Sequence, residues 1–188
     1  MFEKLITYTF RKKVKKLSGE GAREKRFVSY KAAKSVLLLF ESDYTEKNPE
    51  IRHIISLLQA DGKKVMAWGF VDKKEVTTAI LPDFRILHHK DTNFFRKPNA
   101  GFMHELEELE FDLMIDLSVK EVIPLQYLGL YAKSSFKAGL QKSQTGYMDF
   151  LLDLNAIVNQ SEEQLFEIDA SFIYNQIIFY LKSIQSSD

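Results

Sequence analysis

The chain has no cysteine among its 188 residues, and this absence excludes several classes of protein. A disulfide scaffold, a zinc or iron–sulfur site built on thiolates and a cysteine nucleophile all need the missing side chain. Histidine is scarce as well, with four copies, so few nitrogen ligands are present. We therefore expect no thiolate-bound metal; the chain as a whole is expected to carry no metal and no cofactor, with a carboxylate-bound Mg²⁺ as the less favoured alternative considered below.

Long hydrophobic runs are also missing. No uninterrupted apolar run exceeds five residues, whereas a helix that crosses a bilayer needs ~20 apolar residues. No signal-peptide pattern opens the sequence either. We therefore expect a cytoplasmic protein, either soluble or peripheral to the inner membrane.

The eight glycines form none of the known phosphate-binding loops. Neither G-x-G-x-x-G nor G-x-x-x-x-G-K-[ST] occurs, and those loops need glycine because backbone amides must come close to the anion. The G-x-S-x-G elbow of the α/β-hydrolases is absent too. These absences disfavour nucleotide binding of the usual kind.

Net charge is zero, because 26 basic and 26 acidic side chains cancel. The two signs are unevenly distributed along the chain. Residues 1–34 carry a net charge of +8 and the other residues a net charge of −8. Such asymmetry bears on partners and solubility rather than on the fold. We predict a basic helical extension and linker over residues 1–34 and a single α/β domain over residues 35–188.

The basic extension begins with an amphipathic helix. Apolar residues from Phe2 to Leu17 fall on one half of the helical circumference, and basic residues occupy the rest. The helix could pack on its own domain, contact an anionic membrane or protein partner, or bind nucleic acid, which is the least favoured. The residues expected to contact a membrane or partner are Phe2, Lys4, Arg11, Lys12, Lys15 and Lys16.

From residue 35 the pattern alternates between buried strands and helices. Apolar runs predict strands at 36–40, 64–71, 78–87, 111–117, 136–140 and 147–154. Capping residues and proline predict a helix beginning at Asn48-Pro49, a helix from about Val122 to Ser134, and a last helix over 170–184 capped by Asp169. This alternation predicts a three-layer, doubly wound, mostly parallel sheet of five or six strands, a Rossmann-like half.

Acidic residues follow several of these strands. Ligands of doubly wound sheets bind at the carboxyl ends of the strands, where we expect Glu41, Asp43, Asp116 and Asp153. Carboxylates there can hold Mg²⁺ or act in catalysis, but aspartates after buried strands more often accept hydrogen bonds from loop amides. Among the histidines, His88 is the candidate for catalysis, although no partner for it is visible.

Several segments together resemble a family of small proteins of unknown function from Bacteroidota. They are A-K-S-V-L-L-L-F at 33–40, G-K-K-V at 62–65, W-G-F at 68–70, K-D-T-N-F-F-R-K-P at 90–98, E-F-D-L-M-I-D-L at 110–117, A-K-S-S-F-K-A-G at 132–139 and Y-L at 180–181. This resemblance implies no activity. Residues 110–139 also resemble the N-terminal half of heptosyltransferase-like glycosyltransferases, which implies a half-domain without the sugar-nucleotide site.

Two functions follow as expectations. The first is a non-catalytic binding or assembly module, with the inner face of the membrane as one place of action. The alternative is an enzyme acting on a phosphorylated or sugar-linked small molecule through Asp116, Asp153, Glu41 and Asp43. A closed, apolar carboxyl edge would favour the module, and an open polar pocket with two carboxylates within ~5 Å would favour the enzyme.

Overall fold

The structure is a computed structural model that describes residues 2–19, 26–42, 48–72, 83–143, 145–154 and 168–184. Within these ranges the helices are α1 (Phe2–Gly19), α2 (Pro49–Ala60), α3 (Ala100–Glu107), α4 (Ile123–Tyr131) and α5 (Ala170–Ser183). The strands are β1 (Ser35–Glu41), β2 (Lys64–Val71), β3 (Phe84–His88), β4 (Glu110–Asp116), β5 (Lys133–Leu140) and β6 (Phe150–Leu152).

The six strands form one sheet in the order β3-β2-β1-β4-β5-β6, and all neighbouring strands are parallel. Strand β1 lies in the centre, and its residues Val36 to Phe40 are fully buried because helices cover both faces of the sheet. The chain adds strands outward from β1 on one side and then returns to add β4, β5 and β6 on the other. This is the predicted Rossmann-like α/β fold, which is confirmed.

Two hydrophobic cores lie on opposite faces of the sheet. Successive side chains of a strand point to opposite faces, so Leu37 and Leu39 join one core and Val36, Leu38 and Phe40 join the other. The Leu37 core contains side chains from α1, α3 and α4, and the Val36 core contains those from α2 and α5. The helices after β1 and β4 therefore lie on opposite sides of the sheet.

Helix α1 packs on the body of the protein. The Phe10 side chain is fully buried, and its ring centroid lies 4.8 Å from that of Tyr127 in α4, in an edge-to-face arrangement. Val14 is buried too and lies beside Gly146, in the segment between β5 and β6. The part of the apolar side around Phe10 and Val14 is thus covered by its own chain, whereas Phe2 and Leu5 near the start of the helix are exposed.

Some predicted boundaries were wrong, and each error has a local cause. The helix predicted to run from Val122 to Ser134 ends at Tyr131, because the chain becomes extended at Ala132 and Lys133 then pairs with Glu110 of β4. Strand β5 is therefore longer than predicted and β6 is shorter.

Two predictions near chain turns had mixed outcomes. Asn48 does not cap α2 with its side chain; it adopts a left-handed conformation with φ 36° and accepts a hydrogen bond from the Ser42 hydroxyl. Asp169 caps α5 as predicted, since its carboxylate accepts a hydrogen bond from the Phe172 amide at 2.7 Å. The predicted strand at 78–87 begins outside the described residues, and its described part is the edge strand β3.

Candidate functional site

A cleft of about 660 Å³ opens at the carboxyl edge of the sheet. Its walls come from the ends of β1 and β2, the segment between β4 and α4, and the first two turns of α1. The cleft lies where the connections after β1 and β4 leave toward opposite faces, which is the usual ligand position in a doubly wound sheet. Its volume also falls within the ~300–1,000 Å³ of small-molecule sites.

Charged side chains of both signs line this cleft. The Asp72 carboxylate pairs with the Arg96 guanidinium at 3.0 Å, and the Glu41 carboxylate accepts a hydrogen bond from the Lys120 amide at 2.7 Å. The Glu121 carboxylate accepts a hydrogen bond from the Ser143 amide, also at 2.7 Å. Each of these bonds uses one carboxylate oxygen and holds that carboxylate in place.

Arg96 is presented by a tight loop that follows β3. A bridge between Thr92 and Pro98 closes the loop, and the Asn93 side chain accepts hydrogen bonds from the amides of Phe95 and Lys97. Arg96 has φ 60°, which is unusual for a residue with a side chain and is tolerated only where the surroundings enforce it. The loop thus directs Arg96 to the cleft and leaves Phe94 exposed.

The neighbouring part of the edge, at the ends of β4 and β5, is closed by a buried ion pair. The Lys142 ammonium lies 2.9 Å from an Asp116 carboxylate oxygen and donates to the Ser118 hydroxyl at 2.6 Å. The side chains of Lys142 and Asp116 are 5% and 2% exposed. Ser118 donates both its amide and its hydroxyl to Asp116. This network joins the segment after β5 to the end of β4.

Burial has a further electrostatic effect beside this ion pair. The pKa of the Tyr147 phenol is raised well above its ordinary value, chiefly by burial and also by the nearby charges of Asp116 and Glu121. The phenol therefore stays neutral and packs against Gly129 of α4. Buried side chains therefore close this part of the edge.

The predicted carboxylates do not converge. Glu41 lines the cleft and Asp116 forms the buried ion pair, whereas Asp153 is exposed after β6. Strands β4 and β6 are separated by β5, so their ends are roughly 10 Å apart. Asp43 lies outside the described residues. Within the described ranges no group of three or more acidic or histidine side chains could hold a metal ion.

His88 has a partner that the sequence did not reveal. Its imidazole Nδ1 lies 3.2 Å from the Asp91 carboxylate, which also accepts a hydrogen bond from the His88 amide at 2.8 Å. The chain turns back in a short 3₁₀ helix, His89–Asp91, and this turn brings the two side chains together. The Nε2 atom is buried and has no hydrogen-bond partner in the described part of the chain.

The outward side of α1 forms a second candidate site. All six residues predicted to contact a membrane or partner are exposed, and Leu5 and Tyr8 lie among them. The ring centroids of Phe2 and Phe94 lie 5.8 Å apart, and those of Phe94 and Phe95 lie 5.3 Å apart. We call this set the basic aromatic surface: Phe2, Lys4, Leu5, Tyr8, Arg11, Lys12, Lys15, Lys16, Phe94 and Phe95.

The basic aromatic surface carries only positive charge. The single acidic residue of α1, Glu3, lies at the cleft instead. Helical spacing explains the separation, because residues 4, 8, 11, 12 and 15 share a stripe roughly 100° wide and residue 3 lies roughly 130° from its centre. No helix in the described residues is long and apolar enough to cross a membrane.

A protein-family model matches residues 3–168, from the first turn of α1 to the residue before the α5 cap. The chain belongs to DUF6913, a family of unknown function. The predicted resemblance to a family of unknown function is thereby confirmed, while the Bacteroidota source and the glycosyltransferase similarity stay predictions. No curated protein and no solved structure matches the chain.

Proposed function

We propose that this member of DUF6913 is a non-catalytic binding module that docks on an anionic membrane surface. The observation that carries the proposal is the contact of Phe2 with Phe94, which joins two distant segments in one exposed aromatic cluster. Phe2 and Phe94 are 68% and 62% exposed. Exposed aromatic rings beside basic side chains are typical of surfaces that bind the membrane interface.

The charges alone supply part of the binding free energy. Five basic residues lie on the exposed side of α1, and each contributes about 1 kcal/mol near an anionic surface. About 5 kcal/mol corresponds to a dissociation constant near 1 mM or somewhat below. Charge by itself would therefore give weak and salt-sensitive binding.

The aromatic rings supply the remainder. Inserting a largely exposed phenylalanine ring removes ~100 Å² of apolar surface from water, which contributes about 2 kcal/mol. Two such rings together with the five charges bring the dissociation constant toward the micromolar range. Both kinds of residue are therefore needed for binding of useful strength.

The catalytic alternative has less support in the geometry. An enzyme built on the predicted carboxylates needs them close together, but Asp116 is held by Lys142 and Asp153 lies two strands away. Of the predicted carboxylates that lie in the described residues, Glu41 alone lines the open cleft, so the predicted set forms no pair there. These contacts support a binding role.

Co-sedimentation with phospholipid vesicles tests membrane docking. The full chain should pellet with vesicles that contain phosphatidylglycerol and stay in solution with pure phosphatidylcholine vesicles. Replacing Arg11, Lys12 and Lys15 together by glutamate should weaken binding by at least ~100-fold, since three contributions of about 1 kcal/mol are removed. Phe94→Ala should weaken it by roughly 30-fold and leave the salt dependence unchanged.

A matched variant keeps the change in net charge the same. Lys31, Lys64 and Lys133 are exposed, and Lys64 and Lys133 begin β2 and β5 at the opposite edge of the sheet. Replacing these three by glutamate should leave vesicle binding largely intact. Equal loss in the two triple variants would show an effect of net charge alone and overturn the proposed surface, as would binding to nucleic acid but not to vesicles.

A further inference from the structure

We infer that the cleft binds a headgroup in which an ammonium group is linked to a phosphodiester, the chemistry of phosphatidylethanolamine. This inference rests on the proposed membrane docking, because it assigns a ligand to the cleft beside the docking surface. It adds a second site with its own residues and its own specificity. Binding at the cleft should depend on which lipid headgroup the vesicle carries, whereas binding through the basic aromatic surface should depend on the amount of negative charge on the vesicle.

The position of the cleft is the first support. Two elements form the contact between Phe2 and Phe94, and the same two elements line the cleft. In α1, Phe2 faces outward and the next residue, Glu3, lines the cleft; in the loop after β3, Phe94 is exposed and Arg96 lines the cleft. A bilayer contacted by the aromatic pair would therefore bring its headgroups next to the cleft.

The carboxylates of the cleft suit an ammonium group. Glu41 and Asp72 are each fixed through one oxygen, Glu41 by the Lys120 amide and Asp72 by Arg96. Among the described residues, the second oxygen of each carboxylate has no hydrogen-bond donor. Two positioned, negatively charged hydrogen-bond acceptors favour a ligand with several N–H donors, and a primary ammonium carries three.

The basic side chains suit a phosphodiester. The Lys120 ammonium has no partner in the described part of the chain, and Arg96 presents several donors of which one faces Asp72. A phosphodiester carries a single negative charge, so one or two cationic side chains can balance it without a glycine-rich loop. The opposite charges of the ligand thus match the opposite charges of the cleft.

The remaining lining accommodates the hydrocarbon part of the headgroup. Ile6 of α1 and Phe70 of β2 line the same cleft as the charged groups. They offer apolar contact to the two methylene carbons that separate ammonium from phosphate.

Four carboxylates against two cations also disfavour a nucleotide or a free phosphate monoester, which would bring two or more negative charges.

The experiment compares vesicles that differ only in the methylation of the ammonium group. Phosphatidylglycerol is held constant, and the neutral lipid is either phosphatidylcholine or phosphatidylethanolamine. The full chain should bind the ethanolamine vesicles ~10-fold more tightly, the effect of about one charge-assisted hydrogen bond. The double variant Glu41→Gln with Asp72→Asn should bind both vesicles equally while retaining the binding due to phosphatidylglycerol.

A matched neutralisation serves as control. Glu107 and Glu108 are exposed at the end of α3, away from the cleft lining. Replacing both by glutamine changes the net charge as much as the cleft variant does and should leave the ethanolamine preference intact. A preference that is absent in the wild-type chain, or that survives in the cleft variant, overturns the inference.

Water-soluble glycerophosphoethanolamine separates the inference from the proposed function. If titration calorimetry detects its binding and the cleft variant abolishes it, the cleft assignment stands even when no vesicle is bound, and the ligand is then a free molecule. If vesicles containing phosphatidylglycerol are bound but neither lipid preference nor binding of the soluble headgroup is seen, docking stands and the cleft assignment fails. If neither vesicles nor the soluble headgroup bind, both fail.

Discussion

The two halves of the carboxyl edge accommodate charge in opposite ways. At the ends of β1 and β2, Glu41 and Asp72 border an open cleft and keep contact with solvent. At the ends of β4 and β5, Asp116 and Lys142 neutralise each other out of contact with water. A carboxylate at the end of a parallel strand is therefore accessible to solvent in one half and held in a buried ion pair in the other.

The difference comes from what the neighbouring segment supplies. The chain after β5 delivers the Lys142 ammonium, which reaches Asp116 directly. The chain after β4 delivers only the Lys120 backbone amide to Glu41, and the ammonium of that lysine stays unpaired in the described residues. A buried carboxylate needs a full opposite charge, whereas a solvated one is stable with a single hydrogen bond.

Removing the cation from the closed half should have the largest effect. Lys142→Met leaves Asp116 buried without its partner, which we expect to cost about 3–5 kcal/mol of the free energy of unfolding. The matched change in the open half, Lys120→Met, should stay within ~0.5 kcal/mol. Urea unfolding at neutral pH measures both. Equal losses in the two variants would remove the distinction between the halves.

Helix α1 lies along both halves, so releasing it should be nearly as costly. Phe10→Ala removes a fully buried ring that packs on Tyr127, and we expect a loss of about 3 kcal/mol. Cleavage of α1 by a protease should become faster at the same time. Tyr8→Ala, on the exposed side of the same helix, is the control and should melt like the wild type. An unchanged melting temperature for Phe10→Ala would contradict the docking of α1.

The amino end of β4 offers an intermediate case. Burial raises the pKa of the Asp112 carboxyl, but hydrogen bonds from the amides of Lys34 and Ser35 and from the Ser35 hydroxyl outweigh this effect, so the pKa is lowered overall. Asp112→Asn should cost about 2 kcal/mol at neutral pH, because the three donors then bond to a neutral amide oxygen, a weaker acceptor than a carboxylate.

The pH dependence of that variant follows from the direction of the shift. A lowered pKa in the folded state means that ionised Asp112 stabilises the fold above the unfolded-state pKa of ~4. This stabilisation is lost as the pH falls through the lower folded-state pKa. The difference between wild type and Asp112→Asn should therefore shrink in acid; a constant difference from pH 7 downward would exclude this explanation.

The smallest effect is expected in the open half. The Asp72 side chain is 67% exposed, so its ion pair with Arg96 is weakened by solvent. Asp72→Asn should change the free energy of unfolding by no more than ~1 kcal/mol, and added salt should reduce the difference further. Unfolding curves at low and high salt test this. A salt-independent loss of unfolding free energy as large as that of Lys142→Met would show that the ion pairs of the two halves stabilise the fold equally.

The residues predicted most of the fold correctly. Val36 to Phe40 indicated a strand covered on both faces, and Asp169 marked the start of α5. The end of α4 was missed because Lys133 joins β5 through hydrogen bonds to β4 rather than through any apolar pattern of its own. Local patterns report burial, and they carry no information about which distant strand supplies the hydrogen bonds.

The candidate sites were only partly visible in the sequence. Glu41 was expected at the carboxyl edge and lies there, and the basic residues of α1 were expected to be exposed and are. The partnership of Phe2 with Phe94 and that of Asp116 with Lys142 had no signal in the residues. Both are contacts between separate segments, so they depend on how the elements pack.

The order and composition of the residues were enough to predict the class of fold, the uneven distribution of charge and the absence of thiolate and glycine-loop chemistry, because periodicity and composition are local properties. Which charges are neutralised and which stay exposed depends on how distant segments pack together. Whether a carboxylate is buried depends on the segment that covers it, and the free energy of a charge depends on that burial. For this reason Asp116 became part of the scaffold, while Glu41 and the outward side of α1 remained accessible to solvent.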